Sequence, residues 1–285
     1  MALSIPAVQR ALKEDGLDAW LLYDFHGSNP IARRLTGLDA AGKMTTRRWY
    51  YVIPANGEPK KLVHAIEPYN LDHLPGGKTI YSQRETLASG LDQVLGGLKR
   101  VAMEYSPGNA NPYISRVDAG TVEAVRKIGA DVVSSGDLVQ RFEAIWSDEA
   151  LPTHRTASDA LYRIKDRAFD FVRDARANGR GVTEIDVQRA MVGWFHDEGL
   201  VAEGPPVVAA QENAGNPHYI PTAAKHRPIG ASEVVLLDLW GKLPLPGAVF
   251  ADITWVGFTA PQVPDRYVRA FNAARDGRDA AVTLV

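Results

Sequence analysis

A chain of 285 residues exceeds the roughly 100–200 residues of one ordinary domain, so two hydrophobic cores are expected. With 45% apolar and 23% charged residues the composition excludes a disordered or low-complexity chain. The 32 basic residues are scattered among 34 acidic ones for a net charge of -2, which leaves no basic patch for nucleic-acid phosphates, and the absence of cysteine excludes disulfides and thiolate chemistry. Any metal must therefore take oxygen or imidazole ligands. No apolar run approaches the roughly 18 residues of a membrane span, and the first residues lack a basic stretch followed by an apolar one. A soluble, cytoplasmic protein with no membrane or nucleic-acid partner is expected.

In chain order, short apolar runs at 19–23, 49–53, 61–64, 79–81, 100–104 and 131–134 read as strands. Helical patterns at 5–14, 85–95, 119–128 and 137–144 lie between them, with Gly16 and Gly129 placed to end two of the helices. The first domain, residues 1–146, is thus α/β, and the Ala55-Asn56-Gly57 turn between two strands predicts a hairpin and a mixed sheet. A long helix at 148–177 follows, with Leu161, Ile164, Ala168, Phe171, Val172 and Ala175 on one stripe and Pro152 placed to break its first turns. Thr183 and Asp186 resemble a capping box, opening a helix whose face is Val187, Ala190, Met191 and Trp194 and which stops at Gly199. A polar loop then leads to two strands, 233–240 and 248–258, and to a last helix at 265–284. The second domain is residues 147–285.

Asp238 interrupts the apolar run VVLLDLW, where an unpartnered carboxylate on a buried strand costs several kcal/mol. With a hairpin turn centred near Leu245, Gly241 falls opposite Val249 and Asp238 opposite Asp252. Two carboxylates face to face repel unless a cation lies between them or one stays protonated, and oxygen donors of this kind suit manganese, magnesium, cobalt or zinc. The alternative is that one or both carboxylates simply face solvent. His218, in the turn-rich segment QENAGNPHYIPT, has the ring chemistry to shuttle a proton or hold an oxyanion, against the alternative of a solvated loop histidine. His26, His64, His73, His154, His196 and His226 show neither HxH nor HExxH spacing, the tryptophans read as core, and KHRP around His226 reads as a solvated loop.

The segments NAGNPHYIPT, VVLLDLWGK and GAVFADITWVGF together resemble the first half of the pita-bread catalytic domain of the aminopeptidase P, prolidase and creatinase family. RLTGL and RWYYVIPANGEPKKLVH are similar to the family's N-terminal accessory domain. The resemblance implies an α/β accessory domain with a mixed sheet, followed by the first half only of an α+β pita-bread domain. It implies two divalent metal ions, manganese first with cobalt or zinc as alternatives, held in part by Asp238 and Asp252, and a proton-transferring role for His218. The implied reaction is attack of metal-activated water on the bond next to proline in a peptide, as in an Xaa-Pro aminopeptidase or dipeptidase, with a homodimer as the expected assembly. The family's later ligands, a histidine and two glutamates, have no counterpart before Val285, so this chain by itself is expected to bind metal weakly and to turn over negligibly. A creatinase-like C–N hydrolase and a noncatalytic binding module remain the alternatives at this stage.

Overall fold

The computed structural model describes residues 3–39, 42 and 44–284. The chain divides into two units, Met1–Ile145 and Trp146–Val285.

The first unit runs α1 (Ile5–Glu14), β1 (Ala19–Asp24), α2 (Pro30–Leu35), β2 (Trp49–Pro54), β3 (Lys60–His64), β4 (Gly77–Tyr81), α3 (Arg84–Leu95), β5 (Arg100–Met103), α4 (Ala119–Lys127), β6 (Asp131–Ser134) and α5 (Gly136–Val139). Its six strands lie in the order β4-β3-β2-β1-β5-β6. β2 is antiparallel to both β1 and β3, while the β3–β4, β1–β5 and β5–β6 pairs are parallel, so five strands point one way and β2 the other. The turn at Asn56-Gly57, with Gly57 at φ 91°, makes that reversal possible at low steric cost. Alternate residues of the central strands feed two cores. Trp20, Leu22, Trp49 and Tyr51 pack against α1, α2 and α5, whereas Leu21, Tyr23, Tyr50 and Leu62 pack against α3 and α4.

Two local features depart from the sequence reading. α2 is an extra six-residue helix, and its start is explained by Asn29, whose side-chain oxygen caps the N–H of Ala32 at 3.1 Å just before Pro30. The stretch expected as one helix at 137–144 is α5 followed by a single π-helical turn, Gln140–Ala144.

The second unit runs α6 (Ala150–Ala177), α7 (Glu184–Asp197), β7 (Val207–Ala210), β8 (Val234–Gly241), β9 (Ala251–Phe258) and α8 (Asp265–Leu284). Pro152 does not break α6, because it occupies the first turn, where a missing N–H leaves no helical bond unmade. The segment read as a polar loop contains the buried strand β7, whose Val-Val-Ala-Ala run is too short and too rich in alanine to signal a strand on its own. The three strands are ordered β7-β8-β9 and all pairs are antiparallel. Val235, Leu237 and Leu239 of β8 face Leu161, Ile164 and Ala168 of α6 and Val187 and Met191 of α7 in one core. Among the described residues no helix is long and apolar enough to cross a membrane.

Candidate metal centre

β8 alternates strictly between buried and half-buried positions. Asp238 therefore does not sit on a strand covered on both faces, as the apolar run suggested. It lies on the half-open face with Leu236 and Trp240, and the covered face belongs to Leu237 and Leu239.

The β8–β9 register also differs from the expected one. Gly241 pairs with Ala251, Trp240 with Asp252, and Asp238 with Thr254. The hairpin is centred on Pro246 rather than Leu245, and Lys242, just past β8, pairs with Val201 through backbone bonds of 2.9 and 3.0 Å in the two directions. A slip of two residues keeps every side chain on its face. Asp238 and Asp252 thus stand on the same face as diagonal neighbours rather than face to face, a separation of roughly 7–8 Å between backbone positions.

Thr254, directly opposite Asp238, donates its hydroxyl to Asp238 Oδ1 at 2.7 Å and fixes one carboxylate oxygen. Asp252 has an exposed side chain with no donor of this kind among the described residues. Partial loss of solvent, and then the negative charge of Asp238, hold the Asp252 carboxyl above the usual aspartate range. Two carboxylates on one open face, with like charges as diagonal neighbours, are a ligand set that a divalent cation neutralises. Among the described residues no group of three or more His, Asp or Glu converges to hold an ion, so the pair supplies a partial ligand set.

His218 lies in the exposed loop after the 3-10 turn Gln211–Gly215. Its backbone N–H donates to Asn216 Oδ1 at 3.1 Å, and its ring has no hydrogen-bond partner among the described residues. The neighbouring Tyr219 anchors the loop. It is 3% exposed and packs with Val207, Ala209, Leu236 and Trp240 on the face that carries Asp238, and its hydroxyl donates to Glu184 Oε2 at 2.5 Å.

Glu184 is the residue that sequence reasoning missed. Fully buried in the first turn of α7, it accepts the N–H of Ala210 at 2.7 Å, the N–H of Arg227 at 2.8 Å, the Asn213 amide at 2.9 Å and the Tyr219 hydroxyl. One carboxylate thus ties β7, the His218 loop and the segment before β8 together. Its helical phase with Val187, Gln188 and Met191 was the available signal, masked by the ordinary preference for an acid in a first helical turn. Arg227 corrects the reading of KHRP as a solvated loop, since its guanidinium pairs with Glu212 at 2.7 Å and Glu233 at 2.5 Å.

A protein-family model described as Metallopeptidase family M24 matches residues 153–285, nearly all of the second unit. The match places the resemblance to metallopeptidase family M24 in the segment from α6 to α8. No curated protein matches the sequence at a significant level. Among solved structures, the fold is similar to that of dipeptidase PepE from Mycobacterium ulcerans, with a TM-score of 0.64, 17% identity, and coverage of 93% of this chain and 67% of the other. It is also similar to the prolidase from Pyrococcus horikoshii OT3, with a TM-score of 0.57, 14% identity, and coverage of 98% and 71%. The X-prolyl aminopeptidase from Caenorhabditis elegans, described as a cytosolic enzyme with a dinuclear active site, has a TM-score of 0.57 at 16% identity and covers 94% and 44%. At such identities the likeness is one of fold: an α/β unit with a mixed sheet, followed by the part of a pita-bread domain that the M24 segment spans.

Proposed function

We propose that the M24 segment contributes Asp238 and Asp252 as ligands to divalent metal ions, manganese first with cobalt or zinc as alternatives, in a peptidase that cleaves the bond next to proline. The observation that carries the reading is the same-face aspartate pair, in which Asp238 is oriented by Thr254 and Asp252 is its like-charged diagonal neighbour. Ions bound there supply Lewis acidity toward the scissile carbonyl and lower the pKa of water. The chain's own residues do the rest. Thr254 keeps one Asp238 oxygen turned toward β9, leaving the other for a ligand. Trp240 and Val207, flanking Asp238 on the same face, keep bulk water from one side of the carboxylate. His218, held next to the anchored Tyr219, is the group we assign to proton transfer at the substrate. The first unit serves as the accessory domain, and we expect the working enzyme to be a cytoplasmic homodimer acting on peptides with proline as the second residue.

Two carboxylates leave most coordination positions to other donors, so manganese titration of the 285-residue chain by calorimetry is expected to show weak binding that disappears in Asp238→Asn. Two tight sites in this chain would overturn the ligand assignment. Turnover of an Xaa-Pro peptide by the chain by itself is expected to be negligible. In the working enzyme, Asp252→Asn is expected to cost more than the roughly 10–100-fold lost with an outer-shell partner. Hydrolysis that survives Asp252→Asn removes the metal role from this residue.

A further inference from the structure

The α3/α4 side of the six-stranded sheet holds a cavity of about 610 Å³ within the first unit. His64 and Tyr81, the last residues of β3 and β4, stand in its wall, and α3 starts directly beyond Tyr81. The cavity therefore lies at the carboxyl ends of the strands that run in the majority direction, the edge of an α/β sheet at which ligands gather.

Its polar wall is rich in cationic donors, with Ser82, Gln83 and Thr121 beside them. Arg47, Arg48 and Arg84 line it, and none has an ion-pair partner among the described residues. The one acid in the lining, Asp118, is already occupied, because its carboxylate accepts the Tyr23 hydroxyl at 3.0 Å, the Thr121 N–H at 2.9 Å and the Thr121 hydroxyl at 2.8 Å. His64 Nδ1 accepts the N–H of Ile66 at 3.0 Å, which leaves Nε2 as the protonated, donating nitrogen of the neutral ring.

Tyr50 is the informative member. It is 2% exposed and lines the cavity, yet its hydroxyl has no hydrogen-bond partner among the described residues. Its ring is held against Tyr23 with centroids 5.0 Å apart. Burial pushes the phenol well above its ordinary range, so the group stays a donor across physiological pH. The ring is buried while the hydroxyl opens onto the cavity, where it can donate to a ligand. The three guanidiniums have no carboxylate partner among the described residues, although Arg47 donates to Thr46 O and Oγ1 at 3.3 Å and Arg48 lies over the Phe25 ring. Together with a phenol and an imidazole N–H, they call for a ligand with several acceptor oxygens and more than one negative charge. The volume exceeds that of a bare anion, and Phe25 and Leu87 supply an apolar wall for the remainder.

We infer that this cavity binds a small phosphate monoester, with Arg47, Arg48 and Arg84 around the phosphate, Tyr50 and His64 donating to its oxygens, and Phe25 against its organic part. Calorimetric titration of the 285-residue chain with phenyl phosphate, at constant ionic strength in chloride buffer, is expected to give one saturable site with a Kd below about 1 mM. Arg84→Gln and Arg47→Gln are each expected to weaken it by about tenfold or more, and Tyr50→Phe by roughly threefold to tenfold. Both arginine side chains are exposed and make no ion pair among the described residues, the Arg47 bonds to Thr46 being exposed as well, so the two variants are expected to melt at the wild-type temperature. Absence of saturation up to about 10 mM phenyl phosphate, a concentration about tenfold above the expected Kd, overturns the proposal. So does benzoate binding as tightly as phenyl phosphate, or unchanged affinity in both arginine variants.

Discussion

The six-stranded sheet of the first unit is covered by helices on both faces, whereas the three-stranded sheet of the second is covered by α6 and α7 on one face and leaves Asp238, Trp240 and Asp252 on the other. Their acidic residues differ accordingly. Glu104 ends the covered sheet fully buried, accepting from the Trp20 indole at 2.8 Å, the Asn29 amide at 2.8 Å and the Ser135 hydroxyl at 3.0 Å. Among the described residues Asp238 has the single side-chain donor Thr254, and Asp252 has a like charge as its diagonal neighbour. A carboxylate whose acceptor sites are filled from within is part of the fold. A pair left short of donors on an open face keeps its capacity for something brought from outside.

The contrast breaks most sharply at Glu104. Glu104→Ala strands three buried donors and opens a cavity, and is expected to cost about 3–5 kcal/mol in urea unfolding of the first unit. The same residue gives a pH signature. Burial raises its pKa above the ordinary 4.5, outweighing the hydrogen bonds that lower it, so the folded protein holds the proton more tightly than the unfolded chain. The stability from this group is full below the ordinary glutamate range and is lost as pH rises through the folded value. Glu104→Gln is expected to flatten that slope in melts taken from acid toward neutral pH.

Glu184 extends the comparison into the second unit, where it is the carboxylate that behaves like Glu104. Glu184→Ala is expected to destabilise that unit by about 3 kcal/mol and to increase amide exchange through residues 211–219. Tyr219→Phe removes only the hydroxyl bond and is expected to cost about 1 kcal/mol in the same experiment. The smallest effect has the opposite sign. Asp252→Asn relieves a solvent-screened repulsion and is expected to stabilise the metal-free chain by less than about 0.5 kcal/mol, with the gain shrinking as salt is added. A loss of stability on that change would mean that the aspartate pair is structural, as Glu104 is.

Much of this was legible in the sequence because the signals are local. α1 spans the residues that its apolar spacing and Gly16 indicated, and β1, β2, β3 and β6 follow apolar runs bounded by turn formers. The capping box at Thr183 and Asp186 is present, with Thr183 Oγ1 and Asp186 Oδ2 2.6 Å apart. What escaped was short or non-local. β7 has four residues and becomes a strand by pairing with β8, and the importance of Glu184 depends on partners as far away as Arg227.

The sequence by itself indicated an α/β first domain and a second that opens with helices, and it singled out both aspartates, because apolar periodicity and a charge inside an apolar strand are written in adjacent residues; the α+β pita-bread plan came from the family resemblance. The tertiary structure decided how the aspartates meet. The strand that carries Asp252 is tied just before its start to Thr153 and His154 of α6, contacts 96 positions apart in the chain. The availability of the aspartates depends on which face of β8 the helices α6 and α7 cover. Both follow from packing between segments distant in sequence, where the side-chain period of two permits either outcome until the partner strand and the covering helices are in place.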